Sequence, residues 1–198
     1  MPVRSIAQSA ALAAMLLVAG LAAIAGPSSV PAAAAGVEKM VSDCGAGTCD
    51  YDSAAIAAPA GWVHDEFAER TMHMKVLVRD GQSFASTDAY ILATVLPNLD
   101  NVSIADHVFR GQKYMRLQVP DLKIKALPDM ARGKGKAAYQ VYQYEKPSTS
   151  KRRFERIATT MDTDKDGNAF VVGISLTADS AQALQAAEGS YLEILRRY

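Results

Sequence analysis

The chain has 198 residues, and its 21 Lys and Arg balance its 21 Asp and Glu, so the formal net charge is zero. That balance argues against nucleic acid or an anionic membrane surface as a partner held by bulk charge. With three His and no His-x-x-x-His pair, zinc hydrolysis has little support.

The N-terminal part reads as a targeting segment. Arg4 supplies a positive start, and residues 10–25 are apolar and uncharged. Small-x-small sites follow at Ala23-Ile-Ala25 and within Pro31-Ala-Ala-Ala-Ala35, the layout of a secretory signal peptide cut near residue 25 or 35. The run of about 16 residues is short for a membrane span. An uncleaved anchor is the alternative; no Cys stands directly after the apolar run to carry a lipid, and there is no twin-arginine pair. A cut after Ala35 leaves 163 residues (198 less 35) and removes one charge, Arg4, giving 20 basic against 21 acidic groups. That is one ordinary domain. The expectation is a periplasmic or secreted protein with no membrane insertion of its own after cleavage.

Residues 36–52 form a lead-in that carries both cysteines, Cys44 and Cys49. In an exported protein a close, even pair is most simply a disulfide. Residues 53–198 read as a single domain. Ser53 to Pro59 suggests a short strand, and Pro59-Ala-Gly-Trp62 is a turn ending in the only Trp, expected to be buried. Residues 69–79 alternate, with Met72, Met74, Val76 and Val78 on one side and Thr71, His73, Lys75 and Arg79 on the other. Residues 88–97 give a further strand.

Ser103 and Asp106 open a helix in capping-box style, with Ile104, Val108, Phe109 and Met115 as its apolar side. Residues 121–127 read as a short strand, and Arg132-Gly-Lys-Gly-Lys136 as a mobile basic loop. Three strands follow, over 137–145, 153–161 and 169–177. Their short links make them an antiparallel meander. In the last of them Phe170, Val172, Ile174 and Leu176 share one face. The final helix, over 178–198, is capped by Thr177 or Asp179. It buries a stripe of Leu184, Ala187, Tyr191, Leu192, Leu195 and Tyr198.

The order is α+β, an antiparallel sheet of about six strands flanked by helices. The early Pro59-x-Gly-Trp62, the mid-chain helix, the Tyr-rich run from Tyr139 to Tyr144, the Phe154 strand and the Phe170–Leu176 strand with its final helix together resemble the PsbP-like superfamily. That group includes an extrinsic photosystem II subunit, a Ran-binding transport factor and exported bacterial proteins. The resemblance implies an α/β/α sandwich and an accessory or binding role rather than catalysis.

Chemistry has few places to reside. Asp162-Thr-Asp-Lys-Asp-Gly-Asn168 spaces Asp162, Asp164, Asp166 and Asn168 as calcium loops do. The twelfth position is Gly173 rather than Glu, and a polar hairpin turn uses the same residues. Meander geometry brings this loop beside the basic one at 132–136. Met72-His73-Met74 offers soft ligands, but on a strand His73 points away from both methionines. His64-Asp-Glu66 offers an imidazole beside carboxylates, without a nucleophile elbow. Tyr142 and Tyr144 share a strand face and can line an interface or cover the sheet. The reading is an exported, non-enzymatic accessory or binding protein with no cofactor, acting on another exported or membrane-associated protein. A calcium module on the 162–168 loop is the alternative, and a hydrolase using His64 ranks third.

Overall fold

A computed structural model describes residues 36–43, 47–147 and 151–198. Among these residues the chain forms β1 (Val37–Asp43), β2 (Thr48–Ala54), β3 (Trp62–His64), α1 (Glu66–Met72), β4 (Lys75–Arg79) and β5 (Ala89–Pro97). Then come α2 (Ile104–Gln118), β6 (Lys123–Ala126), β7 (Gln140–Glu145), β8 (Phe154–Thr163), β9 (Ala169–Ala178) and α3 (Ala181–Arg197). β1 and β2 make a hairpin, and the other seven strands make one antiparallel sheet in the order β3-β4-β5-β9-β8-β7-β6. The class is α+β, as the element order predicts. The seventh strand, β3, is three residues long, too short to show alternation in the sequence.

β9 sits at the centre because both of its faces must leave water. Phe170, Val172, Ile174 and Leu176 are buried with Ala183, Leu184, Ala187, Tyr191 and Leu195 of α3. The opposite face carries Val171 and Gly173 beneath α2. The meander β7-β8-β9 is as expected. Its junction to β5 is long-range, running from Ala89 opposite Ala178 to Pro97 opposite Phe170. On β5, Ile91 and Ala93 join the α3 side, while Tyr90 and Leu92 pack with Val76, Val78 and Ala68 of α1. Helices therefore cover both faces: α3 on one, α1 and α2 on the other.

The final helix starts later than its sequence suggests. Ser180 caps it, its hydroxyl accepting from the Ala183 N–H at 3.1 Å. Thr177 is still inside β9, and the Asp179 carboxylate is taken by Arg152 at 3.1 Å. Residues 69–79 are not one strand. Asp65 caps α1, and His73 ends it in the left-handed region at φ 52° before β4 begins. Met72 and Met74 still pack with Val76 and Val78, which is why the alternation held across the break. The lead-in also packs on the domain, with Val37 against the main core. Its hairpin lies along the α3 side of the sheet, with Ala54 and Ile56 in the main core and Tyr51 stacked on His73 at 5.3 Å. Trp62 is buried after a turn in which Gly61 takes φ 76°.

Arg132 is not a mobile surface charge, since its side chain is 1% exposed. Its guanidinium donates to Asp162 at 2.8 Å and to the main-chain oxygen of Tyr198 at 3.1 Å. It also lies over the rings of Tyr139 and Tyr198, 5.3 and 4.9 Å from their centroids. The approach of the 132–136 loop to the 162–168 loop follows from the meander, but the contact is buried and so stronger than an exposed pair. Arg132→Ala strands Asp162 with no cation and should cost about 3–5 kcal/mol in urea unfolding. A cost below about 1 kcal/mol would mean that water replaces the guanidinium.

Candidate functional site

α2 begins where the Ser103 hydroxyl accepts from the Asp106 N–H at 3.1 Å, while Ser103 Oγ also donates to the Asp106 carboxylate at 2.7 Å. The helix lays Val108 and Met115 toward the sheet. It does not close on it. Between them is a half-open cavity of about 180 Å³. Its floor is Thr94, Ile157, Thr159 and Gly173 from three adjacent strands, and its roof includes His107, Gly111 and Gln112.

Two glycines help make this space. At Gly173 a Cβ would come within 2.9 Å of Thr94 Oγ1, so a side chain there would force Thr94 to shift. Thr94 Oγ1 donates to the Gly173 carbonyl at 3.2 Å. Gly111 lies mid-helix, where glycine costs about 1 kcal/mol against alanine, and a Cβ there meets nothing within 4 Å. Burial and the nearby Arg110 charge hold the His107 pKa below its ordinary value, favouring the neutral imidazole.

The outer face of α2 has the opposite character. Phe109, Tyr114 and Leu117 are 67%, 64% and 72% exposed. Arg110, Lys113 and Arg116 are exposed among them. Phe109 was expected on the inward side with Val108 and Met115. Helical geometry places it about a third of a turn beyond that stripe.

Of the residues singled out in the sequence, Tyr144 belongs to the cavity. It is buried, and Gln112 Nε2 donates to its hydroxyl at 3.4 Å. Burial pushes its pKa up. Tyr142 shares its face and is half-buried, opposite Ala126 of β6. Tyr139 points to the other face, where its hydroxyl donates to the Leu195 carbonyl at 3.3 Å.

His64 pairs with neither Asp65 nor Glu66. Its Nδ1 lies 2.6 Å from Glu69 Oε1, which also accepts from the Val76 N–H at 3.1 Å. Asp65 is used by the Ala68 and Phe84 N–H groups at 3.0 and 2.8 Å. The pair pins α1 to β3 and β4. Burial alone would raise the Glu69 pKa. The His64 hydrogen bond, the Val76 N–H and the His64 and Lys75 charges outweigh it and leave the carboxyl below its ordinary value.

In the acidic loop the Asp162 carboxylate faces Arg132. Asp164 accepts from the N–H groups of Asp166 and Asn168, both at 2.9 Å, and from Asn168 Nδ2 at 2.8 Å. Gly167 takes φ 85° in the same turn. A neighbouring hollow of about 330 Å³ brings Lys39 and Asp52 of the hairpin toward Asp164 and Asn168. Among the described residues no three His, Cys, Asp or Glu converge as metal ligands. Cys44 lies outside the described residues, and Cys49 stands opposite Ser42 in the hairpin.

Sequence reasoning missed Gly111, Gly173 and Thr94 as a set. The signal was two glycines in the interiors of regular elements, where glycine is normally disfavoured.

No protein-family model and no curated protein matches the chain. Among solved structures, it is similar to the Saccharomyces cerevisiae Ran-binding protein Mog1p. The likeness has 15% identity and a TM-score of 0.45, over 80% of this chain and 93% of that one.

Two outcomes test this geometry. Gly173→Ala should destabilise the fold by about 1–3 kcal/mol, and adding Thr94→Ala should return part of that loss in thermal unfolding. Glu69→Gln should cost about 1–2 kcal/mol at pH 7. A carboxyl with a depressed folded pKa stabilises above its unfolded value and loses that contribution as pH falls through the folded one. The gap between wild type and Glu69→Gln in unfolding titrations should therefore close as the pH drops below 4.5, the ordinary value for this group.

Proposed function

We propose that this is an exported, non-enzymatic accessory or binding protein of PsbP-like type. It acts through the outer face of α2 on another exported or membrane-associated protein. One observation carries the reading: three large apolar side chains on one helix, each more than 60% exposed. An exposed apolar cluster is costly for a protein that stays alone in water, and such clusters mark contact surfaces. Aromatic and Arg residues are also enriched in protein interfaces. The interleaved Arg110, Lys113 and Arg116 favour a partner with acidic groups around an apolar centre.

Residues 1–35 act as a secretory signal, removed on export. A Cys44–Cys49 disulfide forms in the oxidising compartment and closes the β1-β2 hairpin. Among the described residues no helix is long and apolar enough to cross a membrane.

The test is a paired capture experiment with purified wild type and Phe109→Glu/Leu117→Glu. Neither side chain is in the core, so the variant should unfold within about 1 kcal/mol of wild type. Wild type should capture a saturable protein partner that the variant does not, and capture should weaken with rising salt. Equal capture by both proteins would remove α2 from the interface. No saturable partner for either would remove the binding reading.

A further inference from the structure

The cavity beneath α2 has a chemistry that the outer face does not share. None of the residues that line it is Asp, Glu, Lys or Arg. Its walls are mainly apolar, from Leu96, Val108, Met115, Ile157 and Val171. Against them stand a few polar groups with spare capacity. Neither the His107 ring nor the Thr159 hydroxyl makes a hydrogen bond to another described residue, and Gln112 spends only its Nε2, on Tyr144 at 3.4 Å. Apolar walls with a small number of placed polar groups are the usual make-up of a small-molecule site.

The volume sets the size of the guest. An apolar protein cavity of about 150 Å³ admits benzene, and this one measures about 180 Å³. Its making is also informative. The floor has a glycine at a strand centre, where even a Cβ would crowd the Thr94 hydroxyl at 2.9 Å, and the roof has a glycine at mid-helix, where an alanine would fit without a clash. Packing does not require Gly111, and helix propensity opposes it. Its presence keeps the space open.

We infer that the cavity between α2 and the sheet is a binding site for a small neutral molecule of about phenol size, with an apolar body and one hydrogen-bonding group. The body lies between Met115, Val108 and the Gly173 floor. The polar group meets His107, Thr159 or Gln112. An anion is excluded, because no cation lines the site and the desolvated His107 stays neutral at neutral pH. The site is separate from the proposed protein-binding face, which lies on the other side of the same helix.

Phenol is the probe, with benzoate as its charged counterpart, and the full chain is titrated at pH 7.5 by amide NMR and thermal unfolding. Phenol should shift the amide resonances of Gly111, Thr159 and Gly173 in a saturable way and raise the melting temperature. Benzoate should bind at least about tenfold more weakly. Gly111→Leu, which places a side chain in the space, should melt no lower than wild type and lose the phenol shifts. Phenol that leaves the cavity amides unmoved, or binds Gly111→Leu as it binds wild type, overturns the site. Benzoate binding as tightly as phenol overturns the assignment to a neutral guest. Gly111→Ala gives a milder version in which phenol binding weakens without being lost. Unchanged or tighter binding in Gly111→Ala would show that the space beside Gly111 is not where the guest lies.

Discussion

A single buried guanidinium holds the two ends of the folded domain's core in place. Arg132 reaches across from the segment before β7 to Asp162 at the end of β8 and to the main-chain oxygen of Tyr198 after α3. The charge is out of water, so it must be neutralised and hydrogen-bonded where it stands. That requirement aligns three parts of the chain that are remote in sequence. With α3 held at its last turn, its apolar stripe is committed to β9. Tyr191 adds a hydrogen bond to the Ile174 carbonyl at 3.0 Å. The side of the sheet under α3 is consequently buried, with Val172, Ile174, Leu176, Ala187 and Tyr191 fully out of solvent.

The opposite side is built with less closure. α1 is seven residues long and depends on the His64–Glu69 pair and the Asp65 cap to stay on β4. α2 is longer, but much of the floor it meets is small, Thr94, Thr159 and Gly173, with Ile157 standing taller among them. Small floor residues leave a gap when the helix rests on taller neighbours such as Tyr144 and Ile157. One helix thus presents a cavity on its inner side and an apolar, basic surface on its outer side. Both features arise from the same asymmetry: the core of this domain is concentrated between α3 and the sheet.

Several residues that attract attention in the sequence turn out to serve the architecture. His64 and its acidic partner brace a short helix. His73 ends that helix and stacks on Tyr51. Asp164 holds the turn between β8 and β9 through its own loop's N–H groups. Among them the Glu69 and Asp164 carboxylates satisfy backbone N–H groups that would otherwise lack a partner. Short-range sequence cannot separate this use from catalysis or ligand binding, because both need the same side-chain chemistry.

Local pattern is enough for the elements whose periodicity is complete: the β7-β8-β9 meander, the Ser103 cap, the inward face of α3, the burial of Trp62 and the α+β class. These follow from side-chain period, cap chemistry and turn length, all of which act over a few residues. Long-range packing set what depends on distant partners. It paired β5 with β9, placed the lead-in hairpin on the core, broke residues 69–79 into helix and strand, and put Arg132 inside rather than outside. It also turned Phe109 to solvent and set Gly111 above Gly173. A one-residue step rotates a helical side chain by about 100°, so the face that Phe109 takes depends on how α2 lies on the sheet. The burial of Arg132 depends on Asp162 and Tyr198 arriving beside it, which no local pattern contains.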